Sequence, residues 1–403
     1  MVAFLSRSLL LCATVALAQS PSFREEKLHG RHAYVLSNGL IRVSALRGGG
    51  HIAEVRFETG DSRRTLNPMR VPHYPTIEPY EYDPARHDAL YGANPHRWLS
   101  SGYMGHLLCF PAFGPPSSEE EARNGLGNHG EAPIVEWKLT SHSADAEKVT
   151  LDYAADLKRT QFRVGRKLTL RRGEQALLVE EWVENLAPFD RPVNWVQHAT
   201  FGNPFAEPGK TFMDISATRG EVGRRSVGAS LAPGPVTWPD GRSPSGQPVS
   251  LRPFQNVPKA GTYYALLMDQ SRKESWFTMF HADYPVLIGY LYPTADNPWV
   301  GDWQENLSNT SLPWDGKAIA RGIEFGTTPY AEGLRKSVDR GSMFGVPTFR
   351  WIGGLSRVST EFTIFLAGIP AGFQGVMDVA RDGSSILIRP AAAGSPMTLP
   401  HRR

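Results

Sequence analysis

Between residues 134 and 185 four β-prone runs, 134–142, 149–155, 161–170 and 176–185, follow one another with no intervening stretch that repeats every 3.6 residues. A doubly wound α/β chain needs a helix between successive parallel strands, so this succession argues for an all-β fold with few short helices. The 39 glycines and 32 prolines among 403 residues point the same way, because they punctuate turns and break long helices. Toward the N terminus, the runs 32–36, 40–46 and 51–57 are separated by Asn38-Gly39 and by Gly48-Gly49-Gly50, a meander pattern in which His51 reads as structural. Later strands are expected at 193–201, 262–268, 276–281, 286–292, 318–326, 347–352 and 358–366. Ser117 and Ser118 ahead of a glutamate run predict a short helix over 117–123. Segments 68–98, 204–258 and 297–306 have no clean period and read as loops, and the tail after 390 reads as loose.

Arg7, the apolar run 9–17 and the small-x-small pattern Ala16-Leu17-Ala18 predict a signal peptide over 1–18, leaving 19–403 as one exported domain that begins at Gln19. No later run reaches the ~18–20 apolar residues of a membrane helix, so no membrane insertion is expected once the signal is gone. Of the two cysteines, Cys12 lies in that signal, and Cys109 alone can form no internal disulfide. Set between Leu108 and Phe110, Cys109 reads as a small buried apolar residue rather than a nucleophile. A formal net charge of +3 without a basic stripe gives no footprint for nucleic acid.

Four places carry candidate chemistry. In 105–137 the apolar anchors Leu107, Leu108, Phe110 and Phe113 are interrupted by Pro111, Gly114, Pro115 and Pro116, which forbids a helix and leaves a packed irregular loop. At its far end Asn128-His129-Gly130 puts an imidazole on a turn, either aimed into a cleft or simply at the surface. In 193–201, Val193, Trp195, Ala199 and Phe201 share one face with Gln197 as the exception, and Asn194, Val196, His198 and Thr200 share the other. His198 is therefore either a site residue or a buried, satisfied histidine. In 297–306, Trp299, Asp302 and Trp303 combine flat rings with hydrogen-bonding groups, which suits a sugar, though the indoles could instead seal a core edge. In 318–326, Glu324 is the only long side chain on a face of Ala318, Ala320, Gly322 and Gly326, so space above that face is wanted for something. The alternative is a glutamate paired with Arg163, Arg321 or another cation.

Taken together, Cys109-Phe110-Pro111-Ala112-Phe113-Gly114-Pro115, His129-Gly130-Glu131-Ala132 and Trp137 resemble a segment of the aldose 1-epimerase, or galactose mutarotase-like, superfamily. The nearest pattern is that of its hexose-6-phosphate epimerase branch, C-W-P-x-F-G-P, then H-G-F-A-R, then a tryptophan. His198 with the residues through Phe205 is similar to the segment of the second catalytic histidine, and Gly322 through Tyr330 to the late strand that carries the base. Three positions depart from the branch. Pro133 replaces an arginine, Glu131 an aromatic residue, and Tyr103 the arginine before the paired glycines, so the basic groups associated with a phosphosugar are missing.

The resemblance covers roughly residues 28–379 and implies a galactose mutarotase-like β-supersandwich, with Glu324 as base, His198 as acid and His129 holding or polarising the sugar. Trp299, Trp303, Asp302, Tyr103 and Phe110 are the expected substrate contacts. The three catalytic candidates should converge within roughly 5–10 Å, by analogy with paired catalytic carboxyls. The implied partner is a sugar or oligosaccharide, and the implied reaction is interconversion of anomers without a cofactor. A non-catalytic sugar-binding protein, or less directly a polysaccharide lyase or glycoside hydrolase, would use the same fold. Twelve histidines without metal-ligand spacing argue against zinc, and phosphate-loop, dinucleotide and nucleophile-elbow motifs are absent.

Overall fold

Successive strands pair into two large antiparallel sheets that face each other, and the central strands of the larger one are buried on both faces. The computed structural model describes residues 20–223 and 230–402, so the expected signal peptide over 1–18 lies outside the described residues. Among these, one sheet has thirteen strands and the other eight. The centre of the larger sheet runs, in spatial order, through His106–Cys109, Val196–Gly202, Ile319–Gly326, Trp299–Asn306 and Ala260–Met268. The smaller sheet is built around Arg357–Gly368, Ala176–Asn185 and Phe162–Arg171. Ala199, Phe201, Ile323 and Phe325 from the first sheet meet Val164, Leu168, Val179 and Ile364 from the second in one dry core.

Gln197, the polar exception on its apolar face, lies between the sheets and is hydrogen-bonded there through both its amide and its carbonyl. Its amide donates to Glu181 at 2.5 Å, and its carbonyl accepts from Arg166 at 2.9 Å and contacts His106 at 2.9 Å. Arg166 and Glu181 form a buried ion pair, to which Trp195 adds an indole hydrogen bond. A register slip of one residue in Val196–Gly202 would turn Gln197 to the other face and take one partner from each of the buried groups it joins.

Several expected loops contain regular structure. The 68–98 segment holds the helix Pro84–Tyr91, capped by Asp83, and leads into the short helix Arg97–Ser100. In 204–258, strands Thr211–Ile215 and Ala217–Val222 join the two sheets, and Gly234–Thr237, Asp240–Arg242 and Pro248–Ser250 extend the edge of the larger one. The 297–306 segment is mostly strand, Trp299–Asn306, paired on both sides. These strands hide from pattern reading because their neighbours supply the apolar partners that a short polar sequence lacks by itself. The expected loose tail is also ordered: Met397–Pro400 pairs with Ser385–Pro390, and His401 is buried against Glu174. With Val376–Asp382, these strands form a small sheet whose Val379, Ile386, Ile388 and Leu399 pack on Trp276, Leu291 and Phe365. The helix expected at 117–123 is present as Glu119–Arg123, with the Ser118 hydroxyl accepting from the Glu121 amide.

Burial holds three histidines neutral. His51, His106 and His129 each have a pKa pushed well below the ordinary 6.5, chiefly because the imidazolium would be stripped of water. The unfolded chain takes up a proton on each as pH falls through about 6.5, and the folded chain does not. Their contribution to stability is therefore complete above that pH and declines below it, by up to about 1.4 kcal/mol per histidine for each pH unit. Thermal unfolding should show a midpoint that drops as pH falls through this range, and His106→Gln should make the drop shallower. A midpoint unchanged between neutral and mildly acidic buffer would contradict this account.

Candidate active site

Two neighbouring strands of the larger sheet bring a carboxylate and an imidazole face to face. Val196–Gly202 and Ile319–Gly326 pair with His198 directly opposite Glu324, and the side chains meet with His198 Nε2 2.7 Å from Glu324 Oε1. Both are almost completely buried, at 3% and 2% side-chain exposure. Glu324 Oε2 has no hydrogen-bond partner among the described residues, the Tyr263 hydroxyl beside it being turned to the Pro329 carbonyl. An unsatisfied buried carboxylate oxygen is costly, which marks it as a place prepared to receive a donor. Arg163 and Arg321 are engaged elsewhere, with Asp156 and Asp302 respectively.

The small residues around Glu324 serve the rings of the adjacent strands. A Cβ on Gly322 would lie 2.8 Å from the His198 ring and 3.1 Å from Trp303. On Gly301, a Cβ would lie 2.1 Å from the Tyr263 hydroxyl and 2.9 Å from Glu324 Oε2. The space read from sequence as wanted for something is thus partly filled by the side chains that shape the cavity. Tyr263 gives its hydroxyl proton to the Pro329 carbonyl at 2.9 Å. Burial, and then the Glu324 carboxylate beside it, push that hydroxyl's pKa well up, so Tyr263 stays protonated.

His129 arrives from the irregular loop. Its φ of +67° is left-handed, and Gly130 follows at +83° because a Cβ there would stand 2.3 Å from the Phe110 carbonyl oxygen. A non-glycine residue in this region costs of order 1 kcal/mol or more, and such strain concentrates at functional sites. The ring stacks on Phe113 and lies 5.2 Å, centroid to centroid, from His198. Its Nδ1 accepts from the Gly114 amide at 3.2 Å, so the neutral ring carries its proton on Nε2 as a donor. Burial keeps it neutral, reinforced by His198 and His96. Glu131 and Pro133, the departures in the same loop, are structural ties. Glu131 accepts from the Arg159 and Thr160 amides, and the Pro133 carbonyl contacts His51 Nε2 at 3.0 Å.

Together these groups floor a cavity of about 430 Å³. Trp303 and Trp314 stand at right angles in its wall beside Tyr103, while Asn94, Asn128 and Asn309 supply amides. The rim comes from the two segments around Asn94 and Leu312, joined by a hydrogen bond from the Asn94 amide to the Leu312 carbonyl at 3.4 Å. Neither a lysine nor an arginine lines it among the described residues. No group of three or more His, Cys, Asp or Glu among the described residues is arranged to hold a metal.

The structure therefore brings together Glu324, His198, His129, Tyr103 and Trp303. It sets three expected contacts apart. Trp299 is fully buried, with its indole donating to the Pro347 carbonyl at 2.7 Å. Asp302 points into the core, where Arg321 at 2.6 Å and the Tyr264 hydroxyl at 2.6 Å hold it. Phe110 packs edge-on against Phe162 between the sheets. For Asp302 the reason is the strand period: once 299–306 is a strand, Trp303 faces the cavity and Asp302 must face the other way. Asn94, Asn128, Asn309 and Trp314 escaped sequence reading because loop residues show no period, and only the fold brings these segments together.

The fold is galactose mutarotase-like. A candidate aldose 1-epimerase from Klebsiella pneumoniae superposes with a TM-score of 0.57 at 12% identity, over 87% of this chain and 84% of its own. A galactose mutarotase-like protein from Clostridium acetobutylicum matches at 0.53 and 14%, over 87% and 99%. A candidate aldose 1-epimerase from Escherichia coli matches at 0.53 and 14%, over 84% and 99%. No protein-family model matches the sequence, and no curated protein matches it.

Proposed function

We propose that this protein is an aldose 1-epimerase-like enzyme that interconverts the anomers of a sugar by acid/base ring opening. The observation that carries the reading is the buried His198–Glu324 pair, with its unsatisfied Oε2, on the floor of an aromatic and amide-lined cavity. Indole faces suit the C–H surface of a pyranose, and amides suit its hydroxyl rim. A wall without lysine or arginine favours a sugar without phosphate, unlike the hexose-6-phosphate epimerase branch that the loop motif resembles. In the reaction, Glu324 Oε2 takes the proton of the anomeric hydroxyl, His198 gives its Nε2 proton to the ring oxygen, and the newly protonated Glu324 carboxyl, 2.7 Å away, restores a proton to Nε2, so the imidazole stays neutral. The C1–O5 bond breaks and the carbonyl forms. Rotation about C1–C2 presents the other face, and closure returns each proton to its origin. His129, a neutral Nε2–H donor, holds a sugar oxygen through both directions.

The test is polarimetric. A freshly dissolved α-aldose should lose its excess rotation faster with the protein than without it, at an unchanged endpoint. Binding of sugars without acceleration across a broad aldose panel would replace the enzyme with a sugar-binding protein. A change in the mass of an oligosaccharide product would indicate a lyase or hydrolase.

A further inference from the structure

Behind His198 runs a chain of buried hydroxyls that the reaction above does not use. Thr200, two residues along the same strand and so on the same face, has its Oγ1 2.9 Å from His198 Nδ1. The Tyr103 hydroxyl lies 2.6 Å from Thr200 Oγ1 and 3.4 Å from each ring nitrogen of His198, so its short contact is the one to the threonine. Tyr103 is itself fixed by Arg70, whose guanidinium lies 4.5 Å from the centres of both the Tyr103 and Trp314 rings and donates to the Tyr103 carbonyl. Arg70 is 2% exposed and forms no ion pair among the described residues. Such a cation lacks the usual reason for burial, and here it serves as a clamp on an aromatic ring.

The protons along this chain can be counted. Burial pushes the Tyr103 hydroxyl's pKa up, so it keeps its proton and has one to donate. With Tyr103 donating to Thr200, the threonine proton is free to go to His198 Nδ1. The imidazole then carries its own proton on Nε2, pointed at Glu324 Oε1. Reversing the chain would put the His198 proton on Nδ1, turn both hydroxyls around, and leave a bare Nε2 against the carboxylate.

We infer that Thr200 is a positioning residue that, held by Tyr103, keeps His198 in its Nε2–H form with the proton aimed into the site. The kinetic half of this inference rests on the proposed reaction, but the proton's location does not. The groups facing His198 are Glu324 and His129 in the cavity, Tyr103 with Arg70 behind it, and His106, whose charge state His198 influences from the neighbouring strand. All are common to the wild type and the Thr200 variants, so a difference between them reports the hydroxyl.

The experiment uses full-length protein with nitrogen-15-labelled histidine. Long-range proton–nitrogen spectra are taken over roughly pH 5 to 9, where histidine titrates, with His198 assigned by the signal missing from His198→Asn. The neutral His198 of the wild type should read as the Nε2–H tautomer. Thr200→Val should give a mixture or the Nδ1–H form, and Thr200→Ser should restore the wild-type pattern. In polarimetry, Thr200→Val should lower kcat about tenfold, the worth of one lost hydrogen bond, with KM changed less than about twofold and the pH profile of kcat shifted. Tyr103→Phe should move the tautomer in the same direction. An Nδ1–H tautomer in the wild type, or a Thr200→Val spectrum identical to wild type, would overturn the inference. If the wild type accelerates no aldose, the proposed reaction fails, and the spectra still decide the role of Thr200.

Discussion

Glu324→Gln is expected to slow mutarotation by about 10²–10⁴-fold, the usual worth of a positioned general base. Glutamine keeps the length and shape of the side chain and can still contact His198, so little of the loss should come from misfolding. Its amide, however, cannot accept the anomeric proton. Because Oε2 has no hydrogen-bond partner among the described residues, and the Tyr263 hydroxyl beside it donates to the Pro329 carbonyl, the substitution disturbs little there. The thermal midpoint should remain close to that of wild type, and sugar binding, supplied largely by Trp303, Trp314 and the amides, should persist. A variant that retains the wild-type rate would remove Glu324 from the role of base. One that unfolds at much lower temperature would show instead that the carboxylate is held mainly for structure.

Asp302→Ala should have the opposite signature. Asp302 and Arg321 are both fully buried on the core side of the same sheet, and the Tyr264 hydroxyl and the Gln304 amide also donate to the carboxylate. Removing the carboxylate leaves a buried guanidinium with, among the described residues, the Leu251 and Arg252 carbonyls and Tyr264 as partners. Breaking one side of such a pair costs about 3–5 kcal/mol, a large share of the ~5–15 kcal/mol that holds a domain together. Chemical denaturation should show that loss. The milder Asp302→Asn, which keeps the shape and can still accept a hydrogen bond, should lose less and retain wild-type mutarotation when folded. Loss of catalysis at unchanged stability in Asp302→Asn would return Asp302 to the substrate site.

The contrast between Glu324 and Asp302 shows where local pattern is enough. Both are acidic residues in the late part of the chain, and sequence reading assigned both to the sugar. For Glu324 the period of two in 318–326 was visible, so its face, and the contrast with Arg321 on the other, could be read directly. For Asp302 the segment looked like a loop, because Pro298, two tryptophans and several polar residues obscured the alternation. Without a strand there was no face to assign.

By itself, the sequence determined the all-β class, most strand positions, and the separate candidacies of His129, His198 and Glu324. These are properties of short windows: alternation, turn residues, and one polar side chain among small or apolar ones. Tertiary structure alone decided that the three meet, that His198 and Glu324 stand opposite each other, and that Thr200 and Tyr103 lie behind the imidazole. It also decided that Trp299, Asp302 and Phe110 serve the core. The physical reason is range: a strand's period is written in its own residues, whereas which strand lies beside it, and which ring fills the space over a glycine, depends on contacts between residues tens to hundreds of positions apart.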